Sequence, residues 1–106
     1  MTVANYLEYI VDIFREEEGI SILFMESIVD EMKELSDLEI AGPFAMITLN
    51  VYSDLMAVGF LAKMTEVLAA KKISVNAFSA YHHDHIFVPY EKKDEAMVIL
   101  KTLSKA

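Results

Sequence analysis

From Phe44 to Leu103 the spacing of apolar residues switches between every second position and every third or fourth, and this alternation leaves few folds open. Phe44 to Val51 reads as a strand, with Ala45, Ile47, Leu49 and Val51 on one face and Phe44, Met46 and Thr48 on the other. Both faces are largely apolar, which predicts that both are covered. Ser53 or Asp54 then caps a helix. Its inward stripe is expected at Val58, Leu61, Ala62, Thr65, Leu68 and Ala69, with Lys71-Lys72 suited to its C-terminal end. Ile73 to Ala80 is a second strand and His82 to Asp84 a turn. His85 to Val88 is a third strand, stopped by Pro89. Glu91 to Leu103 is a closing helix with Ala96, Ile99, Leu100 and Leu103 turned inward.

The order is therefore β-α-β-β-α. Its first crossover is expected to be right-handed, so the two strands it joins lie parallel. The predicted class is α+β: a ferredoxin-like antiparallel sheet with helices on one face, lacking its last strand. An open sheet border is usually avoided. The missing strand is expected from an N-terminal hairpin or from a partner chain.

The segment before Gly42-Pro43 admits two readings. Tyr9 to Arg15 and Ile20 to Met25 alternate around Glu16-Glu17-Glu18-Gly19, which suggests a hairpin. Leu7, Ile10, Val11 and Phe14 also fit a helix from Val3 to Glu17. The alternation favours the hairpin, followed by a short amphipathic helix from Ser27 to Leu35.

Composition narrows the function. The chain has 106 residues, of which 55% are hydrophobic, and this much apolar surface on so short a chain predicts partial cover by another chain. A net charge of -8 argues against nucleic acid and anionic membranes as partners. No cysteine is present, so there is no disulfide, thiolate nucleophile or Cys-ligated zinc. Neither a signal peptide nor a membrane-length apolar run is visible, so a cytoplasmic location is expected. The seven methionines read as core filler and interface adaptability.

Particular residues carry a resemblance. They are Ile47-Thr48-Leu49, then Ser53 with Ala57-Val58-Gly59, then Ile73-Ser74-Val75-Asn76, and the hairpin Tyr81-His82-His83-Asp84-His85-Ile86-Phe87-Val88-Pro89. Together with Phe14 to Ser21 they resemble a family of small prokaryotic ACT-like proteins. The resemblance implies a partial, degenerate ACT-like copy over residues 1–41 (hairpin plus short helix) and an ACT-like domain over 42–106. The opening strand of the first copy is not recognisable here, which raises the prospect of strand exchange between subunits. It further implies a homodimer or higher homo-oligomer, and a small-molecule ligand such as an amino acid near the loop after the first strand. It implies no chemical activity.

Three places are candidate sites. The first is the loop and helix start with Asn50, Ser53, Asp54, Val58 and Gly59. Free amide groups there attract a carboxylate, and Gly59 lets a ligand or a neighbouring backbone come close. Ordinary capping by Ser53 with close packing at Gly59 is the plain alternative. The second is the His82–His85 cluster. With Asp84 in the turn, His83 and His85 would converge on one side as ligand contacts or metal ligands, although so short a hairpin needs help from another chain to close a tetrahedral site. A structural role, with a histidine packed on Tyr81 or Tyr90, is the alternative. The third is Asn76, whose polar group inside an apolar strand needs a partner when buried. Glu16-Glu17-Glu18 reads as a solvated turn, since a calcium loop requires a different spacing.

No nucleophile elbow, P-loop, dinucleotide fingerprint or His-Glu-x-x-His helix occurs. The sequence points to a cofactor-free, non-catalytic binding module. The alternatives are a ligand-free oligomerisation or protein-interaction module and, third, a metal-dependent enzyme using the histidine cluster.

Overall fold

Two acidic residues, Glu17 and Glu18, turn the chain back on itself between two strands, β1 (Ile10–Glu16) and β2 (Gly19–Phe24). The computed structural model describes residues 3–35, 39–49 and 54–104, with the backbone alone described at 3, 4, 54–58 and 104. It divides into two compact units, Met1–Ala41 and Gly42–Ala106.

In the first unit a kinked 3-10 helix, Val3–Tyr9, leads into β1. The strands are antiparallel, with Glu16 opposite Gly19 and Ile13 opposite Ile22. Gly19 has φ of 153°, a backbone state from which a Cβ is largely excluded, so the reversal needs glycine there. The Ser21 hydroxyl donates to the Glu16 carboxylate across the pair. At the open end the Met25 N–H donates to the Tyr9 carbonyl at 2.8 Å. The hairpin is thus the reading that holds, and the rival helix stops at Tyr9. A 3-10 turn, Glu26–Ile28, passes into α1 (Val29–Lys33), and Ile28 and Met32 are buried.

In the second unit β3 (Phe44–Leu49) is followed by α2 (Asp54–Ala70), β4 (Asn76–Ser79), β5 (Asp84–Pro89) and α3 (Lys93–Ser104), the last preceded by a 3-10 turn at Tyr90–Lys92. This is the expected mixed α+β order. The sheet order is β3-β5-β4, with β5 antiparallel to both neighbours, so β3 and β4 run parallel on either side of it. The Tyr90 N–H extends the β3–β5 ladder by donating to the Pro43 carbonyl at 3.1 Å. In the first unit β1 and β2 form a two-stranded sheet.

One face of the three-stranded sheet holds the core. Leu49, Ile86 and Val88 pack with Met64 and Leu68 of α2, Ile73, and Ala96 and Leu100 of α3; Ala45 and Ile47 border them. Each large side chain of this set contributes about 1.5–3 kcal/mol by leaving water. The inward residues of α3 are those its spacing predicts. The α2 stripe is rotated from its expected position. Met64 is fully buried while Ala62 and Ala69 are exposed, and Phe60 and Leu61 border the core. The helix is apolar on nearly every side, so its spacing does not pick out one face. The expected stripe position Val58 has no described side chain.

The C-terminus of α2 explains why the next strand starts late. Lys72 takes φ of 61°, the Ile73 N–H donates to the Leu68 carbonyl at 2.9 Å, and the Lys72 N–H donates to the Ala69 carbonyl at 2.9 Å. This pair of bonds, with Ile73 and Leu68 both buried, is a Schellman closure. Ile73 serves the helix end, and pairing begins at Asn76 rather than at Ile73.

The opposite sheet face is only partly covered by this chain. Within the chain Phe44, Met46 and Phe78 remain 38%, 52% and 38% exposed. The helices cover one side of the sheet, and β3 accordingly alternates between exposed and inward positions. Any cover of the outer face by another chain would fall on these three residues.

Candidate functional site

The predicted residues fall into two places. The first is the start of α2. Asn50 and Ser53 lie outside the described residues, as does any cap they form. Asp54 opens the helix and Val58 lies on its second turn, with their side chains undescribed. Gly59 is exposed, and among the described residues nothing lies within 4 Å of a Cβ built there. Close packing against Gly59 is therefore not its role among the described residues. Space stands beside a side-chain-free position near the N-terminal end of a 17-residue helix.

The second place is the outer sheet face, built in rows by the strand register. Met46, Phe87 and Asn76 form one row; Thr48, His85 and Phe78 form the next. Phe87 is buried although it faces away from the core side, and Phe78 meets it edge-on with ring centroids 5.3 Å apart. Asn76 is exposed, so the partner that a buried amide would demand is not required.

The histidines are spread along the β4–β5 connection. The Ala80 N–H donates to the His83 carbonyl at 3.0 Å, which puts Tyr81 and His82 at the tip. Asp84 is not in the turn as expected; it opens β5, opposite Ser79 and Leu49. His82 packs edge-on against Tyr81, with centroids 4.8 Å apart. His83 and His85, two residues apart, bring their rings to 6.3 Å. The His85 Nδ1 lies 2.9 Å from the Thr48 Oγ1. Among the described residues no group of three or more His, Asp or Glu side chains is arranged to hold a metal ion.

Thr48 was missed as a site residue by sequence reasoning. Its alternation with Phe44 and Met46 placed it on the correct face, but its pairing with His85 follows from a register that sequence spacing does not state. Beyond the end of β5, the Lys93 ammonium sits 3.6 Å from the Tyr90 ring centroid. Hydrogen bonding to Tyr90 holds the Lys93 pKa above its ordinary value; exposure to water makes the opposing effect of desolvation secondary.

A family model described as ACT domain matches residues 43–102. A crystal structure from Vibrio cholerae, of a protein of unknown function described as a possible transport protein, superposes with a TM-score of 0.79 at 34% identity. The alignment covers 97% of this chain and 77% of that one. No curated protein matches the chain significantly. No helix among the described residues is long and apolar enough to cross a membrane.

Proposed function

The chain belongs to the ACT domain family, and from that premise we propose that it is a non-catalytic regulatory module binding a small molecule, an amino acid or a close chemical relative, at the start of α2. The observation that supports this reading is the exposed Gly59, beside whose Cβ position no described atom lies within 4 Å. A glycine that neither packs closely nor ends its helix costs about 1 kcal/mol relative to alanine. Room for a ligand is a physical reason to keep it. The proposed contacts are the segment Asn50, Ser53, Asp54, Val58 and Gly59. Amide groups at a helix start, with the positive end of the macrodipole, suit a carboxylate.

Thermal melting of the full chain against the common amino acids and nucleotides tests this. A ligand present at about 100 times its Kd stabilises by about 2.7 kcal/mol and raises the midpoint. Gly59→Leu should remove that response without lowering the unliganded midpoint, because the added side chain enters open space. A chain indifferent to every compound in the set would defeat the reading.

The exposure of Phe44, Met46 and Phe78 favours a second reading, in which the module works by self-association without a ligand. Under it the outer sheet face meets a second copy in the cytoplasm as a homodimer or larger homo-oligomer. Sedimentation equilibrium distinguishes the two. A monomer over the accessible concentration range ends the second reading and leaves the first standing.

A further inference from the structure

His83 and His85 lie side by side on the hairpin, with ring centroids 6.3 Å apart. We propose that these two imidazoles bind one borderline divalent transition ion, of the class of Cu2+, Ni2+ or Zn2+, on the outer sheet face. Three observations converge. The residues are two apart at the entrance to β5, where alternation puts them on one side, and their rings stand 6.3 Å apart. The His85 ring is held through Nδ1 by the Thr48 Oγ1 at 2.9 Å. A ligating imidazole characteristically donates its second ring N–H to an acceptor; with the His85 Nδ1–H donating to the Thr48 Oγ1, Nε2 is the nitrogen left to meet the ion. His83 is exposed and precedes the strand, so its ring has room to move.

An ion about 2.0–2.1 Å from each nitrogen in tetrahedral geometry draws two imidazole centroids to about 5 Å. The present separation exceeds that by roughly 1 Å, within reach of a rotation of His83 about its side-chain bonds. Imidazole nitrogen suits copper, nickel and zinc, whereas magnesium and calcium prefer oxygen. Two protein ligands leave the remaining positions to water. The His82 ring is as near to His83, at 6.4 Å between centroids, but it is engaged edge-on with Tyr81 at the tip, and the Thr48 contact belongs to His85. The site is independent of the start of α2 and does not rest on the small-molecule reading.

The test uses the full chain without a polyhistidine tag and Cu2+ alone as the probe. Titration calorimetry gives the count and affinity, and electron paramagnetic resonance reports nitrogen ligation. The expected result is one Cu2+ per chain with two imidazole nitrogens. His83→Ala and His85→Ala should each abolish this binding, and His82→Ala should leave it unchanged. Thr48→Val should weaken it by about tenfold, because His85 loses its orienting bond. Circular dichroism of each variant establishes that it is folded. Half an ion per chain that vanishes in the double variant also supports the pair, shared between two copies. Uptake that survives in the double variant, or that His82→Ala removes, overturns the proposal.

Discussion

The Ile73 amide donates to the Leu68 carbonyl at 2.9 Å, and both side chains are buried in the same core. Lys72, between them in the chain, is left with φ of 61°, a position that favours glycine. Left-handed backbone costs a residue with a Cβ roughly 1–2 kcal/mol. Lys72→Gly is therefore expected to stabilise the protein by about 1 kcal/mol, after glycine's greater freedom in the unfolded chain offsets part of the relief. Differential scanning calorimetry should show the midpoint rising by several degrees, about 4–8 °C per kcal/mol for a domain of this size. A fall would mean that Lys72 makes compensating contacts.

The position of Met64 at the centre of the core gives a second expectation. Met64→Ala should destabilise by about 2–5 kcal/mol, through lost burial and the cavity left behind. Ala69→Ser, on the exposed side of the same helix, should change stability by less than about 0.5 kcal/mol. Urea denaturation of both variants tests the rotated helix face directly. Equal losses would restore the stripe that the sequence spacing suggests.

Gly59 yields a third. With nothing near its would-be Cβ, Gly59→Ala should raise stability by about 1 kcal/mol, the ordinary helix-interior difference. Destabilisation in chemical denaturation would show that the space is taken.

A fourth concerns Lys93 and Tyr90. Tyr90→Phe keeps the ring under the ammonium but removes the hydroxyl, so the raised Lys93 pKa should fall towards its ordinary value. Heteronuclear NMR titration of the Lys93 side chain reads this. A group with a raised folded-state pKa stabilises fully below its unfolded pKa and loses that contribution as pH rises through the folded value. This contact therefore matters in the neutral range and fades in strong alkali. An unmoved Lys93 pKa in Tyr90→Phe would exclude the hydroxyl as the cause.

Much of the architecture was legible because apolar spacing changes period at the right places. Phe44 to Leu49 is a short apolar run bounded by Gly42-Pro43, Ala96 to Leu103 repeats every three or four, and Gly19 punctuates the hairpin. What escaped was set by contacts between distant positions. The core face of α2 was ambiguous because apolar residues surround the helix. The start of β4 was misplaced because Ile73 is claimed by the helix end. The Thr48–His85 contact depends on β3 and β5 being paired in one register, and residues so far apart in sequence carry no spacing signal of it. Residue type alone does not reveal that Asn76 is exposed or that Asp84 opens a strand instead of sitting in the turn.

The strand order of the second unit carries a consequence for synthesis. β5 lies between β3 and β4, yet it is the last of the three to leave the ribosome. Until Asp84–Pro89 emerges, neither earlier strand has its hydrogen-bonding neighbour, and Leu49 has no sheet in which to bury itself. A nascent chain arrested before Asp84 is thus expected to hold α2 without a sheet to receive it, a state that attracts chaperones and closes late through long-range pairing.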